Sequence, residues 1–119
     1  MALLQIIPEI FYDDINTGLR FFVDGLGFNL VYNDDILYLV KRDELTIMLS
    51  VNTEFAKSDR PQIRIKTDRI EEIYDEINLK DASLLHPNLN YIKNQPWGLR
   101  EFAVLDPTTV CIVFQQDQS

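Results

Sequence analysis

The period of the apolar positions changes along the chain. Residues 3–12 are apolar and β-prone, and Pro8 assigns them to an edge strand or a bulge. A helical period follows, with Ile15, Leu19, Phe22 and Val23 on one face. Asp13 or Asp14 supplies the N-cap, and Gly25 and Gly27 stop the helix. Gly18, inside it, costs about 1 kcal/mol relative to alanine, which a close packing contact would explain. Three short strands are predicted next, at about 28–33, 36–41 and 45–51, with turns at "NDD" and "RDE". Residues 52–60, "NTEFAKSDR", are polar and read as a connector.

The same order then begins again. "PQIRIKT" alternates, with Ile63 and Ile65 on one face and Gln62, Arg64 and Lys66 on the other. "DRIEEIYDEINL" is an amphipathic helix whose stripe is Ile70, Ile73, Tyr74 and Ile77 and whose wet face is Glu71, Glu72, Asp75 and Glu76. After a loop at 80–88 come "NLNYIKN", "LREFAVL" and "VCIVFQQ", the last two joined by a turn at Asp106-Pro107. The chain therefore reads β-α-β-β-β twice, module 1 over about 1–52 and module 2 over about 60–116. Ile15, Leu19 and Phe22 correspond to Ile70, Tyr74 and Ile77 at a constant offset of 55. The repeat lies in element order and apolar pattern rather than in identity. The fold class expected is α+β: two tandem modules forming a curled mixed sheet around a cup, with the helices outside.

Composition narrows the function. At 119 residues the chain fits one domain with its own core. One cysteine, Cys111, excludes an internal disulfide framework and fits a reducing, cytoplasmic setting. The start, "MALLQIIPEIF", has neither the basic region of a signal peptide nor the length of a membrane span, and reads as a strand. A net charge of −8, from 19 acidic and 11 basic residues, disfavours nucleic-acid binding. The glycines at 18, 25, 27 and 98 match no phosphate-loop spacing, and no nucleophile–base pair stands out.

Two segments carry a family resemblance. "DINTGLRFFVDGLGFNLVY" (14–32) resembles the first helix of the vicinal oxygen chelate superfamily, with its Leu-Gly-Phe turn. "PWGLREFAVLDPTTVCIVF" (96–114) resembles its closing hairpin. That superfamily includes glyoxalase I, extradiol dioxygenases, fosfomycin-resistance enzymes and bleomycin-resistance proteins. The paired β-α-β-β-β order extends the resemblance over the whole chain. It implies a single glyoxalase/bleomycin-resistance-like domain and a homodimer. One departure is Thr109, where the family usually has glycine; a β-branched residue resists positive φ, so a different turn geometry is expected.

Metal-dependent members place His, Gln or Glu on the first strand and Glu on the last strand of each half. Carried over, those positions are Ile7, Met48, Gln62 and Val113, of which only Gln62 has a donor suited to a catalytic cation. No metal and no cofactor are expected. His86, the only histidine, reads as an exposed loop imidazole.

Strand alternation assigns the cup-facing side chains. Glu9 and Phe11 face it from the first strand, Thr46, Met48 and Ser50 from the fourth, and Gln62 and Arg64 from the fifth. If Leu105 pairs with Val110, Val113 opposes Phe102, and Arg100, Phe102, Cys111 and Gln115 share that face; a slip of one residue puts Glu101 there instead. Tyr38, Tyr91 and Trp97 are candidates to stack on a planar ligand. The candidate ligand-binding set is thus Glu9, Tyr38, Met48, Gln62, Arg64, Tyr91, Trp97, Arg100, Phe102 and Val113, apolar walls with a few placed polar groups. A structural ion-pair cluster of Glu9, Arg64 and Arg100 is the competing reading. Cys111 reads as a small buried hydrophobe. The function expected is small-molecule binding in the manner of the bleomycin-resistance branch, sequestering an antibiotic or another aromatic or cationic ligand without catalysis. The alternative is a metal-dependent lyase or dioxygenase of the same superfamily.

Overall fold

The structure, a computed structural model, describes residues 1–118. The chain divides between Arg60 and Pro61 into two compact units, and each repeats the β-α-β-β-β order. Unit 1 holds β1 (Glu9–Tyr12), the helix α1 (Ile15–Leu19) with its π-helical continuation Arg20–Gly25, β2 (Asn29–Asn33), β3 (Leu37–Arg42), β4 (Leu45–Val51) and the helix α2 (Thr53–Ser58). Unit 2 holds β5 (Gln62–Lys66), the helix α3 (Ile70–Asp81), a 3₁₀ turn Ala82–Leu84, β6 (Lys93–Asn94), β7 (Leu99–Leu105) and β8 (Cys111–Asp117). Each unit forms its own four-stranded mixed sheet, ordered β1-β4-β3-β2 and β5-β8-β7-β6. The parallel pairs are β1 with β4 and β5 with β8. The α+β class and the two similar modules match the sequence reading.

In module 1, Asp14 caps α1 by accepting from the Asn16 N–H at 2.9 Å. The π-helical turn adds a residue to the helical register, so Phe21 and Phe22 are both buried. Gly27, at φ 75°, takes the left-handed exit. Gly18 owes its place to packing: a Cβ there would lie 2.6 Å from Cε2 of Tyr12, whose ring is buried beneath the helix. Tyr12, Ile10, Leu49, Ile47 and Val40 make the helix-covered face.

In module 2, α3 lays Ile70, Ile73 and Ile77 on the sheet. Below it Phe102 stacks on Phe114 and meets the Tyr74 ring edge-on, with centroids 5.2 and 5.1 Å apart. After α3 the chain returns along β7: Leu85 bridges to Val104, the His86 N–H donates to the Ala103 carbonyl at 2.8 Å, and the Ala103 N–H donates to the Leu89 carbonyl at 3.0 Å.

Four expectations are corrected. Residues 3–8 form no strand; Leu3, Leu4, Ile6 and Ile7 are exposed and β1 starts only at Glu9. The connector 52–60 contains α2, because the Asn52 side chain caps it by accepting from the Phe55 N–H at 2.9 Å. The segment "NLNYIKN" pairs only at Lys93–Asn94. Thr109 does take the glycine-like conformation, at φ 78°, so the turn keeps its geometry at the expense of local strain.

Candidate functional site

A sheet residue shares its face with its cross-strand partners, so the pairing register decides what lies opposite the helices. In module 1 the far face carries Glu9 and Met48, Phe11 and Ser50, with Leu37, Leu39 and Tyr32 from β3 and β2. Glu9 is exposed, and its carboxylate accepts the Ser50 hydroxyl at 2.6 Å. Phe11 is half-buried and meets Phe55 of α2 edge-on at 5.1 Å. Phe55 was missed in the sequence because its segment read as plain connector. The far-face positions expected for Glu9, Phe11, Thr46, Met48 and Ser50 agree with this register. Tyr38 is corrected: it pairs with Leu49 and so lies half-buried on the helix face.

In module 2 the register departs from expectation by one residue. Leu105 pairs with Cys111 rather than Val110, and Val113 opposes Ala103 rather than Phe102. The cause is the turn. The Asp106 carboxylate accepts from the N–H groups of Thr108 and Val110 and from the Thr108 hydroxyl, all within 2.9 Å, and the Asp106 N–H donates to the Val110 carbonyl. Five residues, 106–110, are thereby held outside the ladder. Arg100 and Phe102 consequently lie on the helix face. Phe102 is fully buried against Tyr74, and the Arg100 guanidinium pairs with Glu71 of α3, holding that carboxyl below its usual range. The ion-pair cluster weighed for Glu9, Arg64 and Arg100 is not what Arg100 joins.

The far face of module 2 therefore presents Glu101, Ala103 and Leu105 beside Gln115, Val113 and Cys111, with Gln62, Arg64 and Lys66 along the β5 edge and Lys93 along β6. Gln62 and Arg64 sit there as expected, both exposed, and Val113 is buried there. Glu101 is 2% exposed. Its Oε2 accepts the Trp97 indole N–H at 3.3 Å and the Gln115 side-chain amide. Trp97 is 60% exposed, and Tyr91 is exposed in the preceding loop. Cys111 is half-buried and beside Arg64; burial pushes its thiol pKa up, with the guanidinium opposing more weakly. His86 is half-buried rather than exposed, its Nδ1 accepting the Asn88 N–H at 3.0 Å.

The superfamily's metal positions can be tested on these faces. Met48 and Val113 occupy equivalent sites, each opposite the first strand of its sheet. A thioether, two hydrocarbons (Ile7 and Val113) and one amide (Gln62) do not make a divalent-cation site. Among the described residues no group of three or more His, Cys, Asp or Glu side chains is placed to hold a metal. No described helix is long and apolar enough to cross a membrane.

Comparison with solved structures identifies the fold. A bleomycin-binding protein complexed with bleomycin superposes with a TM-score of 0.81 at 18% identity, covering 98% of this chain and 100% of that one. The bleomycin-binding protein of Streptomyces verticillus, complexed with copper(II)-bleomycin, gives 0.79 at 23% identity over 99% of both chains. A lactoylglutathione lyase from Agrobacterium tumefaciens gives 0.74 at 14% identity, covering 98% and 96%. The chain shares the fold of these three proteins. No protein-family model matches the chain. Bleomycin resistance proteins of Geobacillus stearothermophilus and Staphylococcus aureus are each 34% identical to it, over 96% of this chain and 97% of theirs. The chain belongs to the bleomycin resistance protein family.

Proposed function

We propose that this protein binds and sequesters an antibiotic of the bleomycin class, without turnover, as a cytoplasmic homodimer built from one two-module domain. The observation that carries this reading is the 34% identity to bleomycin resistance proteins across nearly the full length of both chains. The ligand-contacting groups proposed are far-face and loop residues: Glu9, Met48, Gln62, Arg64, Tyr91, Trp97 and Val113. Arg64 and Gln62 are exposed polar groups opposite the buried Val113 and the half-buried Cys111, and Trp97 is an exposed aromatic, the mixture by which small-molecule sites fix orientation. Tyr38, Arg100 and Phe102 leave the set because they serve the helix faces. The side chains at the superfamily's metal positions supply no Lewis-acid site, which favours binding over chemistry.

Titration calorimetry with bleomycin tests the proposal. Binding at a Kd of about 1 μM or tighter, with a matching rise in melting temperature, is expected. Absence of heat and of any shift in melting temperature would sink it. Stoichiometric zinc, manganese, nickel or iron in protein purified without chelator would favour the lyase or dioxygenase alternative instead. Sedimentation at micromolar concentration checks the dimer.

A further inference from the structure

The strand position of Glu101 does not by itself call for a buried carboxylate. Its equivalent in module 1, matched through the pairings of Leu37 with Ser50 and of Glu101 with Gln115, is a leucine. The same strand position is thus filled by a plain hydrocarbon in one sheet and by a carboxylate in the other. Burying a carboxylate is costly unless it is well bonded. Among the described residues, two neutral donors bond Glu101, the Trp97 indole and the Gln115 amide.

The backbone around Trp97 is also tied down. Gly98, at φ 91°, forms a tight turn in which its N–H donates to the Gln95 carbonyl at 3.1 Å and the Gln95 N–H donates to the Leu99 carbonyl at 2.8 Å. The Gln118 side-chain amide donates to the Gln95 and Leu99 carbonyls at 3.0 and 3.1 Å, and its N–H to the Gly98 carbonyl. With the main chain fixed, the remaining freedom of the indole is rotation about its side-chain bonds, which in exposed residues runs on a picosecond-to-nanosecond scale. The bond to Glu101 is the contact that opposes this rotation.

We propose that Glu101 is a positioning residue for ligand recognition: its buried carboxylate anchors the indole N–H of Trp97 and holds the exposed ring as a fixed stacking plane. Because its N–H is occupied, the ring presents only its aromatic surface, so the ligand part it receives is a planar aromatic group rather than a hydrogen-bond acceptor. The ligand part of this inference rests on the binding function proposed above; the anchoring of the ring does not.

Trp97 is the only tryptophan, so intrinsic fluorescence reads this one side chain. In ligand-free wild-type protein the anisotropy decay should follow overall tumbling. Glu101→Leu, the residue type module 1 uses, should add a fast component, and Glu101→Gln, which keeps an acceptor oxygen, should restore most of the slow decay. If Glu101→Leu fails to give a native circular dichroism spectrum, the double variant Glu101→Leu/Gln115→Leu, which strands no buried amide, takes its place. A fast wild-type decay, or a slow one in the leucine variant, overturns the proposal. Bleomycin titration then separates the two ideas. Affinity should fall about three- to tenfold in Glu101→Leu at unchanged stoichiometry, the effect of having to immobilise one side chain on binding. Equal affinity in wild type and variant overturns the positioning role and leaves the binding function standing. A held indole in protein that does not bind bleomycin sinks the binding function and supports the anchoring.

Discussion

Modules 1 and 2 can be compared position by position through their strand registers, and their two faces tell different stories. On the helix faces the equivalents are Ile10 and Ile65, Leu49 and Phe114, Ile47 and Ile112, Val40 and Val104, and Tyr38 and Phe102. Each of these pairs is apolar or aromatic; the polar residues of the helix face, Arg100 and Gln116, lie at the end of the module 2 sheet, where they bond Glu71 and the Ile70 N–H of α3. On the far faces the equivalents are Glu9 and Arg64, Phe11 and Lys66, Ser50 and Gln115, Leu37 and Glu101, and only Met48 with Val113 and Leu39 with Ala103 stay apolar in both. The helix face is constrained by burial beneath a helix, where polarity is penalised and volume must match. The far face has no helix laid on it, and although Ser50, Glu101, Ala103, Val113 and Gln115 are buried there its chemistry diverges: largely apolar and aromatic in module 1, rich in cations and amides in module 2.

The sharpest way to break that comparison is to truncate one phenylalanine on each kind of face. Phe102→Ala removes a fully buried ring between Tyr74 and Phe114 and should destabilise the protein by about 3–5 kcal/mol in urea denaturation. Phe11→Ala, on a half-buried far-face position, should lose less than about 1.5 kcal/mol. Equal losses would show that the far face is as much a core as the other.

The glycines sharpen it next. Gly18→Val drives a side chain into the Tyr12 ring, and about 2 kcal/mol or more should be lost in thermal or chemical melts. Gly98→Ala meets no atom within 4 Å and contends only with φ 91°, so about 1 kcal/mol is expected. Smaller still, and opposite in sign, Thr109→Gly relieves the left-handed strain of the module 2 turn and should stabilise by about 0.5–1 kcal/mol, read as a rise in denaturation midpoint.

The smallest effect is electrostatic. Glu71 in module 2 is held below its ordinary pKa of 4.5 chiefly by the hydrogen bond from Arg100. Asp34 in module 1 is held below its ordinary 3.8 chiefly by the backbone N–H groups of Leu37 and Ile36. Both groups have depressed folded pKa values. Their stabilising contributions are therefore present above those ordinary values and fade as pH falls through the lowered ones. Arg100→Gln should raise the NMR titration midpoint of Glu71 and leave that of Asp34 in place; parallel movement would mean that the two carboxylates do not differ in cause.

Much of this was legible in the sequence. The alternation Ile63–Ile65, the stripe of Ile70, Ile73 and Ile77, and the repeat offset between the helices depend on local period, and period survives any tertiary context. The close contact at Gly18 was legible too, since a glycine inside a helix calls for a reason. The helix α2 was less so: its polar surface carries no stripe, and its only announcement was the Asn52 cap. The exposed residues 3–7 misled because β-propensity does not by itself supply a pairing partner.

What the sequence by itself determined is the order of elements, the apolar identity of each helix face and the poor donor set at the superfamily's metal positions. What only the tertiary structure decided is which of Arg100 and Glu101 points away from α3. Side chains in a strand alternate at every residue, so one extra residue held in the turn by Asp106 exchanges the two faces of the hairpin. That single register brings Glu101 and Trp97 together and sends Arg100 to Glu71. It depends on side-chain hydrogen bonds within 106–110, which no periodicity in the flanking strands records.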